Sequence, residues 1–111
     1  MSLEKLTIPQ PNKAEQTTAE NETERFHGQD TINGHEIVCS WYEREYEMHF
    51  PQIDFPISDE GKKMGIGDQN IRISRNKKDA KFVFTKAKEW ATEEDNIYSL
   101  YKRVESLAQS L

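Results

Sequence analysis

Cys39 and His49 are the one nucleophile-and-base pair that a folded-back central segment of this chain can bring together. A catalytic thiol needs a lowered pKa and a base within hydrogen-bond reach. The acids nearest Cys39 in sequence, Glu36, Glu43, Glu45 and Glu47, favour the neutral thiol instead. A small sheet cysteine, buried or half-buried, is the expectation. His27, His35, His49 and Cys39 suggest zinc only at first sight. Strand residues four apart, as His35 and Cys39 are, stand about 13 Å from each other. Structural zinc takes four ligands, and neither CxxC nor HxxxH occurs. Glu43, Glu45 and Glu47 alternate along a strand and line one face, where solvated carboxylates are the expectation rather than a general acid. No catalytic, cofactor-binding or metal-binding residue is assigned, and the chain reads as non-enzymatic.

A different chemistry lies in the cations. Residues 1–60 hold four basic groups against thirteen acidic ones, residues 61–111 eleven against seven, so the net charge of −5 conceals a division between −9 and +4. Arg72–Lys88 alone holds seven basic residues against the single Asp79. Cations interleaved with aromatics such as Phe82 and Phe84 on a sheet are the means by which single-stranded nucleic acid is gripped. Against that, the acidic total repels a polyanion at long range, and both phenylalanines are wanted in the core. The favoured function is therefore a small protein-interaction or regulatory module that docks through a sheet face or edge. Single-stranded nucleic-acid binding through residues 72–88 is the alternative. Candidate partner contacts are Trp41, Arg72, Arg75, Lys77, Lys78 and Lys81. Homo-oligomerisation through the sheet edge or a helix suits so small a core.

These residues must be positioned by few elements. His35–Phe50 (HEIVCSWYEREYEMHF) is the densest run of β-branched and aromatic residues, the composition of a strand or hairpin on a partly buried sheet. Asn33-Gly34 tolerates the positive φ of a type I′ turn and joins it to a short strand over 26–32. The central run is either one long strand or a hairpin folded at Glu43-Arg44-Glu45, which is poor turn chemistry. In the hairpin, Val38 faces Phe50, Ser40 faces Met48, Tyr42 faces Tyr46 and Cys39 faces His49. Val38, Tyr42, Tyr46, Met48 and Phe50 then pack under a helix, with Trp41 on the opposite face.

Pro51–Ser58 reads as an extended edge or crossing segment and Asp59–Asn70 as a glycine-rich connector. Ile71–Ser74 and Ala80–Thr85 read as a second hairpin around RNKKD. Thr92 is expected to cap a C-terminal helix, or Thr85 an earlier start, because Ile97, Leu100, Tyr101, Val104, Leu107, Ala108 and Leu111 recur at helical spacing.

With 34% apolar and 32% charged residues among 111, the core must be small. The expected fold is α+β: an antiparallel sheet of about four to five strands with a C-terminal amphipathic helix on one face. Residues 1–24 are expected as a disordered acidic tail that competes for the basic segment, with Leu6 and Ile8 as its one apolar spot, and residues 25–111 as a single domain. No run approaches the roughly 18 apolar residues of a membrane span, and no secretory signal is evident. A single cysteine forms no internal disulfide, and a cytoplasmic location is expected. Sheet followed by helix also occurs in single-stranded-DNA-binding coactivator domains and in many unrelated folds, and no diagnostic motif ties the chain to any of them.

Overall fold

The computed structural model describes residues 24–53, 57–67 and 70–111. Its first hairpin forms where the turn chemistry asks for it. Strand β1 (Gly28–Ile32) pairs antiparallel with β2 (His35–Tyr42), from Gly28 opposite Cys39 to Ile32 opposite His35. Asn33 and Gly34 between them take φ of 55° and 79°, the left-handed values of a type I′ turn.

The central run is a hairpin, but in a different register from the one expected. β3 (Glu45–His49) turns back on β2 through Glu43 and Arg44 alone, so Trp41 faces Tyr46, Cys39 faces Met48 and Val38 faces His49. A one-residue slip sends every alternate side chain of β2 to the other side of the sheet. Ile37 and Cys39 are fully buried, Trp41 is half-buried against the core, and Tyr42 is 56% exposed. The reason is composition. Ile37-Cys39-Trp41 is a more apolar alternation than Glu36-Val38-Ser40-Tyr42, and the observed register buries it. The turn reaches this register by placing Glu43 at φ 59°. Its carbonyl accepts the Trp41 indole N–H at 3.2 Å, and the Arg44 amide donates to the Tyr42 carbonyl at 2.7 Å.

Strand β4 (Asn70–Arg72) completes a four-stranded antiparallel sheet in the order β1-β2-β3-β4, with Met48 opposite Ile71 and Glu47 opposite Arg72. Tyr46 then accepts from the Ile73 amide at 2.9 Å and donates to the Ser74 carbonyl at 2.8 Å. Two residues opposing one is a β-bulge, and it turns the chain off the sheet.

The second hairpin expected there does not form. Ala80–Thr85 lies inside a helix. Helix α1 (Asp59–Lys63) is a single turn within the supposed connector, capped by Ser58; α2 spans Lys77–Ala91 and α3 Ile97–Gln109. A strand lying one-sided on a core buries Val83 or its neighbour Phe84, never both. As a helix, Ala80, Val83, Phe84, Ala87 and Ala91 fall on one stripe, and all five are buried. Burial of a Val or Phe contributes about 1.5–3 kcal/mol, which outweighs the roughly 1 kcal/mol span of β-propensity. The caps also differ from expectation. Asn76 and Asn96 open the two helices, their side chains accepting from Lys78 N and Tyr98 N, each at 2.8 Å. Thr92 closes α2 instead, its hydroxyl donating to the Glu89 carbonyl at 2.7 Å.

α2 lies across β1, β2 and β3, and α3 packs beside it and over β4. Between the layers sit Tyr46, Met48, Phe50, Val83, Leu100, Tyr101 and Val104, all essentially without solvent exposure. The Phe50 and Tyr101 rings meet at 5.7 Å. Gly28 is required by this packing, because a Cβ there would stand 2.8 Å from ring carbons of both Phe26 and Phe84. The fold is thus α+β, a four-stranded antiparallel sheet with its helices on one face. Among the described residues no helix is long and apolar enough to cross a membrane. The acidic segment 1–24, apart from Glu24, and its Leu6 and Ile8 lie outside the described residues, as does the centre of the extended segment, 54–56. What is described of the latter is a turn at its start, where Ile53 N donates to Phe50 O at 3.0 Å.

Candidate docking surfaces

The register separates the nucleophile from its base. Cys39 faces the helices, wholly buried, with Sγ 3.8 Å from the Ala80 carbonyl, whereas His49 belongs to the other face of the sheet. Burial pushes the Cys39 thiol up to about 12 and lowers the pKa of His49. A thiol so placed is neutral at physiological pH and is no nucleophile. Of the other histidines, His35 is buried with Nε2 2.7 Å from the Glu94 carbonyl. Among the described residues no three His, Cys, Asp or Glu side chains converge to hold a metal ion. Glu45 and Glu47 do share a face, beside Arg72, whose Nε lies 3.6 Å from Glu45 Oε2. Glu43 sits apart from them in the turn.

Trp41 is not on the face opposite Tyr46. The two rings pack edge-to-face at 5.1 Å, and the Arg25 guanidinium stacks over the indole at 3.9 Å. Arg25 Nε is buried there without a hydrogen-bond partner. Around this pair runs a cleft of about 360 Å³ lined by Arg25, Phe26, His27, Ser40 and Trp41. Trp41 is therefore half covered by its own chain.

The structure divides the basic segment into two groups. Arg72 and Arg75 border an open, polar cleft of about 510 Å³ with Tyr42, Glu43, Arg44, Glu45 and Glu47, so their charge is met by three carboxylates. Lys77, Lys78 and Lys81 stand in the first turns of α2. There Asp79 is the one acid, and its carboxylate accepts from the Ser74 hydroxyl at 2.8 Å. The helix macrodipole already makes this end positive, so the lysines oppose the local field. Phe84 is in the core, with Lys88 Nζ 4.9 Å from its ring centroid. Phe82 is the reverse: 45% exposed, one turn from Lys78 and one from Lys86. Sequence reasoning counted Phe82 as core because it took the segment for a strand. The signal that finds it is its place off the Ala80-Val83-Ala87 stripe once a helix is assumed.

Tyr42 is the other exposed aromatic that was misplaced. It ends β2 on the face that also carries Glu36, Glu45 and Glu47, so this side of the sheet is acidic. The free edge at β1 is partly guarded, since the Thr31 amide is taken by the Asp30 carboxylate at 2.8 Å, a common means of discouraging strand addition. Comparison of the chain with protein-family models, curated proteins and solved structures finds no match.

Proposed function

We propose that this chain is a small non-enzymatic docking module that binds an acidic surface of another protein through the outer face of α2. The observation that carries the reading is Phe82, an exposed aromatic set among Lys78, Lys81 and Lys86. Aromatic anchors ringed by charge are the usual composition of a contact centre. The lysines cost stability at the positive end of a helix, and residues that break a local folding rule without evident return concentrate at functional sites. Phe82 exposes apolar surface at a position where a polar residue would serve the fold as well. The sheet face and edge carry less, because Tyr42 stands among paired charges and Asp30 occupies the edge amide.

Single-stranded nucleic acid is the second reading, and the same lysines favour it. It needs stacking platforms beside the phosphate contacts, and of the two phenylalanines only Phe82 is exposed. Titration with a single-stranded oligonucleotide at two salt concentrations separates the readings. Docking to protein predicts no saturable binding even at low salt. Binding that weakens steeply with salt and is lost in Lys77→Glu/Lys78→Glu replaces the first reading by the second.

A further inference from the structure

We propose that the acidic segment preceding Arg25, residues 14–24, occupies the lysine-bearing outer face of α2 in the same chain and competes there with the partner protein. This rests on the docking reading and adds a second, intramolecular occupant to it. Between Lys13 and Arg25 the sequence holds Glu15, Glu20, Glu22 and Glu24 and no basic residue. That is the complement of Lys77, Lys78 and Lys81 on α2.

The point where the segment joins the body fixes its neighbourhood. Arg25 stacks on Trp41 at 3.9 Å, and the Phe26 amide donates to the Tyr46 hydroxyl at 3.0 Å. The Phe26 ring meets Phe84 of α2 at 5.7 Å, with Lys81 Nζ 5.9 Å from its centroid. Glu24 therefore enters beside Lys81. Glu22 and Glu20, two and four residues upstream, reach about 7 and 13 Å further in an extended chain. Lys77 and Lys78 lie one helical turn from Lys81, about 5 Å along the axis. The spacings overlap without a long loop. The competing seat, the other face of the sheet, carries Glu36, Glu45 and Glu47 and repels the segment. A tether this short gives millimolar effective concentration, and contacts between exposed charges fade with salt over a Debye length of about 8 Å. The face is then filled when no partner is present and is cleared by a partner that carries more negative charge or an apolar contact for Phe82.

The test uses the full chain with a nitroxide at Thr17→Cys, since buried Cys39 stays unlabelled. Paramagnetic broadening of backbone amides is compared at Lys78 and Phe82 on α2 and at Ser106 on α3. At low ionic strength, broadening at Lys78 and Phe82 is expected to exceed that at Ser106 several-fold. It should fall toward the Ser106 level in about 0.5 M salt and, at low salt, in Glu15→Gln/Glu20→Gln/Glu22→Gln. The same profile in all three conditions overturns the proposal, because proximity would then come from the tether alone. A photo-crosslink from position 82 reads partner docking separately, so a flat broadening result with that crosslink intact removes the internal occupant and leaves the docking surface.

Discussion

The side-chain amide of Asn33 donates to the main-chain carbonyl of Ala91 at 3.1 Å, tying the tip of the first hairpin to the C-terminal end of α2 across 58 residues of sequence. The same nitrogen reaches the Glu94 carbonyl at 3.3 Å and Asp95 Oδ1 at 3.1 Å, and His35 Nε2 lies 2.7 Å from Glu94 O. Helix C-termini leave carbonyls without intrahelical partners, and here a turn residue chosen for its positive φ satisfies them. Asn33→Gly keeps the turn and removes the tie. It should cost about 1–2 kcal/mol of unfolding free energy, measured by denaturant titration. An unchanged midpoint would show that the hairpin is seated by its apolar contacts alone.

Glu43 holds a left-handed backbone conformation without being glycine. That conformation costs an L-residue about 1–2 kcal/mol, part of which glycine returns through a more flexible unfolded chain. Glu43→Gly should stabilise the protein by about 0.5–1 kcal/mol, whereas Glu43→Val should destabilise it. Both follow from thermal unfolding of the two variants beside the parent.

Cys39 supplies a pH signature. Its thiol lies near 12 in the folded chain against 9.0 for an unperturbed thiol, because burial disfavours the thiolate. A folded-state pKa above the unfolded one contributes stability that is fully present below the unfolded value and is lost as pH rises toward the folded value. The window is therefore about pH 9 to 12, with a slope approaching 1.4 kcal/mol per pH unit for one proton. Stability measured across it should fall less steeply in Cys39→Ala than in the parent, which cancels the tyrosines and lysines common to both. Native protein should also resist alkylation by iodoacetamide at pH 8 and react on unfolding.

Lys77 begins α2, where a cation opposes the helix dipole. Lys77→Glu should raise stability by about 0.3–1 kcal/mol while weakening partner binding. A loss of stability would mean that the lysine supports the fold and would take away the tension on which the docking reading draws.

Some of this was legible in the chain. Asn33-Gly34 named its own turn, because few residue pairs accept two positive φ angles. The Leu100-Tyr101-Val104-Ala108 stripe named α3 because it runs at helical spacing for three turns. Residues 80–85 misled because AKFVF has strand composition over five residues. Its helical period becomes visible only when Ala87 and Ala91 are counted with Ala80, Val83 and Phe84. The register of β2 on β3 was hidden for a different reason: Glu43-Arg44 carries no turn residue, and the Trp41 indole that satisfies the Glu43 carbonyl lies outside the turn itself. The docking residues inherited both errors. Trp41 moved to the helix side with the register, and Phe82 came out of the core with the helix.

The most direct test of docking through α2 is a photoreactive phenylalanine at position 82 of the full chain, irradiated in the cells that make the protein. The same group at position 106 serves as a control on α3. The account predicts one discrete adduct from position 82 containing a second, different polypeptide, absent from position 106 and several-fold weaker with Lys78→Glu/Lys81→Glu. An adduct that disappears on nuclease treatment, one formed only with a second copy of this chain, no adduct at all, or the same pattern from both positions would contradict it.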